Sequence, residues 1–239
     1  KALLALKNDG ILDDKVTENP WYRYLIQDDL SVAKDYKALQ IIYIDHKEAL
    51  PEELCDFFVT LLPNLLATVV ISKTRTLLIL DQEEMIEAED LIDDVLPTLE
   101  SDFGIKLTIF FGNVWCKFQA DDLPAFYREE SRLFANMRHF RGNERTVSFS
   151  QMLLLAYAHQ LDLPAIKHKM LQAIDDSKDI RPIIMTMWQE QGNLAKTAQN
   201  LYIHRNSLHY KIEKFRLLSG LNLKNLNDLA FSYLLIMEN

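Results

Sequence analysis

Three narrow apolar stripes near the carboxy terminus constrain this chain more than any other feature. Ile183, Ile184, Met187 and Trp188 fall on one helical face, Pro182 sits where a first turn tolerates proline, and Gly192 can take the left-handed conformation that ends a helix. Asn193 can cap a second helix, in which Leu194, Ala198 and Leu201 recur at i, i+4 and i+7 over about two turns. After a break at Tyr202 and Ile203, Leu208, Ile212 and Phe215 repeat the same spacing. Stripes this narrow bury little unless the three helices pack together, and the small Ala198 lets the second and third approach closely. The spacing predicts a trihelical helix-turn-helix between Asp179 and Phe215, with a second helix over Leu194–Leu201 and a third over Arg205–Leu218.

The other face of the third helix carries chemistry. His204, Arg205, Asn206, Ser207, His209, Tyr210, Lys211 and Lys214 line it, and Glu213 alone interrupts with an acid. A helix entering the major groove sets its amino-terminal residues against base edges. Arg205 there can pair with guanine, Asn206 with adenine, and Ser207 with several bases, with His209 one turn further in. Lys196, Thr197, Tyr210, Lys211, Lys214 and Arg216 are spaced for phosphates, which position the module. A net charge of -9 would oppose this if it were evenly spread. It is not: residues 1–190 hold 20 Lys and Arg against 32 Asp and Glu, whereas residues 191–239 hold six against three. Phosphate attraction follows the local patch, so double-stranded DNA is the expected partner of the basic end.

The stretch GNLAKTAQNLYIHRNSLHYKIEKF closely resembles the carboxy-terminal helix-turn-helix of the PucR/CdaR bacterial transcription regulators, in which "HRNTL.YR" opens the recognition helix. Here it reads His204, Arg205, Asn206, Ser207, Leu208, His209, Tyr210, Lys211; Ser207 keeps the hydroxyl of Thr and Lys211 the charge of Arg. The resemblance runs from about Ser148 to the end, taking in LDLPAIKHKMLQAIDD and a closing stripe of Leu226, Leu229, Ala230, Tyr233, Leu234 and Met237. It implies a regulator that responds to a small-molecule effector and controls uptake or catabolism of a small metabolite.

Upstream, an amphipathic helix over Asn19–Ala33 is followed by β-rich runs at Leu39–Ile44, Leu65–Ile71, Arg75–Leu80 and Ile105–Phe111. Helices fit Glu52–Leu66, Glu83–Glu100 and Leu123–Phe140, and the short polar tip Ser72, Lys73, Thr74 predicts a hairpin. The fold class is therefore α+β: a βαββαβα sheet domain with helices on one face, then an all-α helix-turn-helix domain. The expected division is an amino-terminal helical segment over 1–35, the sheet domain over 36–141, a helical pair over 146–177 and the DNA-binding domain over 178–239. Arg141–Arg145 marks the break, and everything beyond it reads as helical. Ser148 or Ser150 caps the first helix of the pair and Pro164 opens the second. The chain starts at Lys1 rather than Met, which leaves an upstream segment open, and Lys1–Leu6 is compatible with the tail of a helix that starts before it.

The sheet domain's element order resembles the degenerate GGDEF-like domain that such regulators carry. Active cyclases of that type hold Mg²⁺ with an acid after the first strand and acids on the hairpin. Asp45 matches the first position, but Ile71, Ser72, Lys73, Thr74 and Arg75 supply neither acid nor glycine pair. No catalytic residue, metal ligand or cofactor is expected, and a nucleotide-handling enzyme or sensor built on this body stands as the alternative. His46, His139, His159 and His168 are scattered singly, and Cys55 and Cys116 suit small buried thiols. No apolar run reaches the roughly 18 residues of a membrane helix, nor does KALLALKNDG pattern as a signal peptide, so a cytoplasmic chain with no membrane partner is expected. Two-fold operators match two-fold proteins, which makes a homodimer the expected assembly.

Overall fold

The computed structural model describes residues 17–29, 32, 36–136 and 144–238. The helical tail with which Lys1–Leu6 is compatible, the far ends of the helices expected over Asn19–Ala33 and Leu123–Phe140, and most of the expected break at Arg141–Arg145 lie outside them. The described chain falls into two compact units. One draws on the chain up to Gly112, on Phe118–Tyr127 and on the stretch ending at Val147; the other draws on Asn113–Lys117, on the stretch beginning at Arg128, and on the chain from Ser148 onward.

The first unit holds helix α1 (Pro20–Gln27), strand β1 (Ala38–His46), helix α2 (Glu52–Leu61), strands β2 (Leu65–Ser72) and β3 (Arg75–Asp81), helix α3 (Ala88–Phe103), most of strand β4 (Leu107–Cys116), the start of helix α4 (Asp122–Asn136) and strand β5 (Thr146–Val147). The sheet order is β2-β3-β1-β4-β5, with β3 antiparallel to both β1 and β2. The hairpin is as expected: Ser72 pairs with Arg75 around Lys73 and Thr74. Four expectations need correction. The helix expected over Glu52–Leu66 stops at Leu61, because the residue before Pro63 is forced out of the helical region: Leu62 sits at φ -114, ψ 89. The helix expected from Glu83 begins only at Ala88, since Met85 takes a left-handed φ of 54 and Gln82 Nε2 donates to the Ile86 carbonyl at 2.9 Å. Thr146–Val147 is a strand rather than the start of an all-helical region, paired in parallel with Ile109 and Phe110.

Nor is the sheet covered on one face only. Ile42 and Ile44 of β1 pack with Leu54 and Phe58 of α2 and Ile92 and Leu96 of α3. On the alternate positions Leu39, Ile41 and Tyr43 are also buried, and Tyr43 stacks on Phe110 and Tyr127 with ring centroids 5.3 and 6.2 Å apart. A strand apolar on both faces reads as a continuous run, and that is the pattern of Leu39–Ile44.

The second unit is helical, with α5 (Phe149–Ala158), α6 (Pro164–Asp176), α7 (Ile180–Gln189), α8 (Leu194–Asn200), α9 (Arg205–Ser219) and α10 (Leu226–Glu238). Ser148 caps α5 in a capping box with Gln151. The amino terminus of α6 is held by another helix: Ala165 and Ile166 N–H donate to the two carboxylate oxygens of Glu129 on α4, each at 2.9 Å. The closing helix α10 buries Leu229, Phe231, Ser232 and Leu235, whereas Leu226 and Met237 of the expected stripe are exposed. Tyr233 lies flat on Trp188 of α7, with centroids 4.8 Å apart. Among the described residues no helix is long and apolar enough to cross a membrane.

Candidate nucleic-acid interface

Helix α7 buries Ile180, Ile183, Ile184 and Met187 and ends at Gln189, with Glu190 as its C-cap. Gln191, with φ 54, is the first left-handed residue, and Gly192 follows at φ 77. Gly192 N–H reaches back to the Met187 carbonyl at 2.8 Å and Gln191 N–H to that of Trp188 at 3.1 Å, the paired bonds of a Schellman turn. Asn193 then caps α8, its Oδ1 accepting from Ala195 and Lys196 N–H, each at 3.1 Å. The second turn repeats the device: Tyr202 is left-handed at φ 52, and Ile203 N–H closes on the Ala198 carbonyl at 3.0 Å.

The third helix, α9, has a cap that the sequence pattern did not reveal. The His204 ring accepts from Asn206 N–H through Nδ1 at 3.2 Å, doing the work usually done by Ser, Asp or Asn. The buried side of α9 is Leu208, Ile212, Phe215 and Ser219, as the stripe predicts and one turn beyond it. Consequently Arg205, Asn206, Ser207, Tyr210 and Lys214 stand exposed, with His209 and Lys211 partly so. Arg205 Nε lies 3.4 Å from His209 Nε2, bringing together two side chains expected at base edges. Lys211 Nζ is bound to Asp179 Oδ2 at 2.8 Å, and that bond holds the Asp179 carboxyl below its ordinary range. Arg216 lies beside Glu213 at 4.0 Å.

On α8, Lys196 is exposed, but Thr197 is fully buried and its hydroxyl donates to the Asn193 carbonyl at 2.8 Å. Thr197 is therefore corrected from a surface position to a packing position, because it shares with Ala198 the side of α8 that is buried. The reverse holds for Tyr202, first read only as a break: it is 97% exposed.

Residues 183–235 match the family described as the PucR C-terminal helix-turn-helix domain. The chain is also 35% identical over 220 residues to a leucine-rich protein of Streptococcus dysgalactiae subsp. equisimilis, covering 92% of this chain and 78% of the relative. Its carboxy-terminal part is a PucR-type helix-turn-helix domain, and over its length the chain belongs to one family with the streptococcal protein. With this PucR-type domain it is a DNA-binding transcription regulator, and the match takes in most of α7, all of α8 and α9, and most of α10. A second relative, the uncharacterized protein YxkF of Bacillus subtilis (strain 168), is 22% identical over 231 residues, covering 93% of this chain and 75% of that one. The crystal structure of a regulator of polyketide synthase expression from Bifidobacterium adolescentis aligns with 96% of this chain and 94% of its own at 14% identity and a TM-score of 0.40.

Outside the PucR-type domain, the acid singled out at the end of β1 is already engaged. Arg75 on β3 donates to Asp45 through Nε at 2.7 Å and Nη2 at 3.0 Å, a two-pronged pair that occupies both carboxylate oxygens. Beside it His46 Nε2 lies 3.0 Å from Thr76 Oγ1, and burial pushes the imidazole pKa down. Among the described residues no cluster of His, Cys, Asp or Glu is arranged to hold a metal ion.

Proposed function

We propose that this regulator reads a specific duplex sequence by laying the amino-terminal turns of α9 in the major groove. Arg205, Asn206, Ser207 and His209 contact base edges, while Lys196, Tyr210, Lys211 and Lys214 meet phosphates. His204 shapes the entry as the cap of α9. The observation that carries the reading is the exposed, acid-free first turn of α9, its base-contacting side chains standing clear of the buried face of Leu208, Ile212 and Phe215. The chain acts in the cytoplasm as a homodimer, answers to a small-molecule effector, and controls uptake or catabolism of a small metabolite. In this reading 1–35 is an amino-terminal helical segment, 36–141 a degenerate GGDEF-like domain, 146–177 a linking helical pair and 178–239 the DNA-binding domain. The order β2-β3-β1-β4 around an antiparallel β3 supports the GGDEF-like assignment, and the commitment of Asp45 to Arg75 supports a body without cyclase chemistry.

The test is a selection of bound duplexes from random sequence, followed by titration of two variants on the enriched site. Arg205→Ala should relax base preference at one position, a loss of roughly 1–3 kcal/mol in discrimination. Lys214→Ala should weaken binding to all sequences alike and lower the salt slope by about 1. Enrichment of no sequence, or equal behaviour of the two variants, would overturn the assignment of α9.

A further inference from the structure

The turn between α6 and α7 and the outer face of α9 enclose an open cavity of about 520 Å³, all of it within the second unit. Its charged lining is basic: Lys178 and Lys214 stand at it with Lys211, whose ammonium is bound to Asp179, and Asn206 and Tyr210 lie beside them, while much of the surface between is carbon. The wall also includes Ser177, a residue that is only 7% exposed and whose Oγ is buried with no hydrogen-bond partner. An unpartnered hydroxyl in such a place is costly unless something completes it, since a buried polar group without a partner forfeits its hydration. A hydroxyl can donate to an anion that the lysines attract. Of the acids on the same turn, Asp175 is paired with Arg181 and Asp179 with Lys211, each at 2.8 Å, while Asp176 is exposed. Lys178, whose charge also acts on the neighbouring Asp179 carboxylate, and Lys214 are within ion-pair distance of no acid among the described residues.

We infer that this cavity is the seat of a DNA backbone phosphate, with Lys178 and Lys214 flanking it and the Ser177 side chain turning from its buried position to donate to a phosphate oxygen. The inference rests on the placing of α9 in the major groove, and it extends the interface to a turn outside the helix-turn-helix proper. Asn206 and Ser207 line the same cavity, so the phosphate seated there belongs to the strand bordering the bases that α9 reads. Such a clamp fixes how deeply and at what angle α9 enters the groove, which base contacts alone leave free.

The experiment uses the full chain and a duplex enriched by selection, with anisotropy titrations over a range of salt. Ser177→Ala removes the hydroxyl without leaving a partner behind, so the fold should be kept, and affinity should fall by about tenfold as one charge-assisted hydrogen bond is lost. Lys178→Gln should lower the salt slope by about 1, whereas Lys47→Gln, on the first unit, should leave it unchanged. Single phosphates are then replaced by neutral methylphosphonates. At one position the unmodified protein should lose more affinity than Ser177→Ala does, the remainder being the share of Lys178 and Lys214. Binding of the enriched duplex that is indifferent to both Ser177→Ala and Lys178→Gln overturns the phosphate seat and leaves α9 standing, whereas failure of the unmodified protein to bind any duplex overturns both. Titration with inorganic phosphate separates the remaining source: Ser177-dependent binding of the free ion with DNA affinity untouched would make the cavity a site for a free phosphoryl ligand and overturn the inference.

Discussion

Asn113 Nδ2 donates to the Ser219 carbonyl at 2.8 Å, so the last turn of the recognition helix is tied to the end of β4 inside one compact unit. Gly220, which follows, sits at φ 77, and a Cβ added there would lie 2.4 Å from the Val114 carbonyl oxygen and 2.5 Å from Asn113 Oδ1. Glycine is required twice over, for its left-handed backbone and for the close approach. Gly220→Ala should cost at least about 2 kcal/mol in chemical denaturation. Adding Asn113→Ala should not rescue it, because the Val114 backbone stays in place; a rescue would mean that the side chain alone carries the clash.

The bond between Lys211 and Asp179 holds a positive charge on α9 against an acid. Asp179→Asn should release Lys211 and raise affinity for duplex DNA several-fold at low salt, without altering base preference. Both partners are exposed enough that stability should hardly change. The carboxyl pKa is held down by the bond, so the pair persists through neutral and mildly acid pH and is lost only as pH falls through that lowered value. Unchanged low-salt affinity in the Asn variant would show that Lys211 stays away from phosphates even when released.

Two caps frame the short helix and the recognition helix. Asn193→Ala strips two N–H groups of their acceptor at the start of α8 and should cost about 1 kcal/mol. His204→Ala should unwind the first turn of α9, while His204→Asn, which offers an acceptor at the cap, should restore it. Amide exchange at Asn206 reads this directly: protection lost in the Ala variant and regained in the Asn variant is the expected result.

Much of the DNA-binding unit was legible because its signals are local. Asn193 as cap, the break at Tyr202 and the stripe of Leu208, Ile212 and Phe215 depend on neighbours within four residues, and α8 and α9 match their expected bounds to within one residue. The sheet was legible for a different reason, since Leu39–Ile44 is apolar without interruption and a run of that length needs burial. What stayed hidden depends on residues distant in the chain. Thr197 and Lys196 are adjacent, and only the packing of α8 decides that one is buried and the other exposed. The two residues of β5 carry no periodicity by themselves, so their pairing with Ile109 and Phe110 is a tertiary fact. The cavity beside Ser177 likewise unites a turn and a helix some thirty residues apart in sequence.

In the first unit the buried His46 makes stability depend on pH. Its pKa is lowered, chiefly by burial, so the unfolded chain binds a proton more readily than the folded one. The stabilising difference is complete above the ordinary histidine value of about 6.5 and shrinks as pH falls from there through the lowered value. Melting temperatures measured at pH 7.5 and pH 5.5 should drop less for His46→Gln than for the unmodified chain. An equal drop would place the acid sensitivity elsewhere.

The second unit depends on a buried carboxylate. Glu130 is fully buried on α4, and its Oε1 accepts from Asn113 N–H at 2.9 Å and from the Trp115 indole N–H at 3.0 Å. Trp115 in turn meets Phe149 of α5 edge-on, with centroids 5.6 Å apart, so this acceptor sets the rotamer on which α5 packs. Glu130→Leu keeps the bulk but leaves two buried donors unpaired, each costing about 1–3 kcal/mol. Glu130→Gln retains a carbonyl oxygen and should recover most of the loss. The Trp115 indole N–H resonance distinguishes the cases: it should shift strongly in the Leu variant and only slightly in the Gln variant. If both variants lost stability equally, the acceptor oxygen that Gln retains would not be what the packing requires of Glu130.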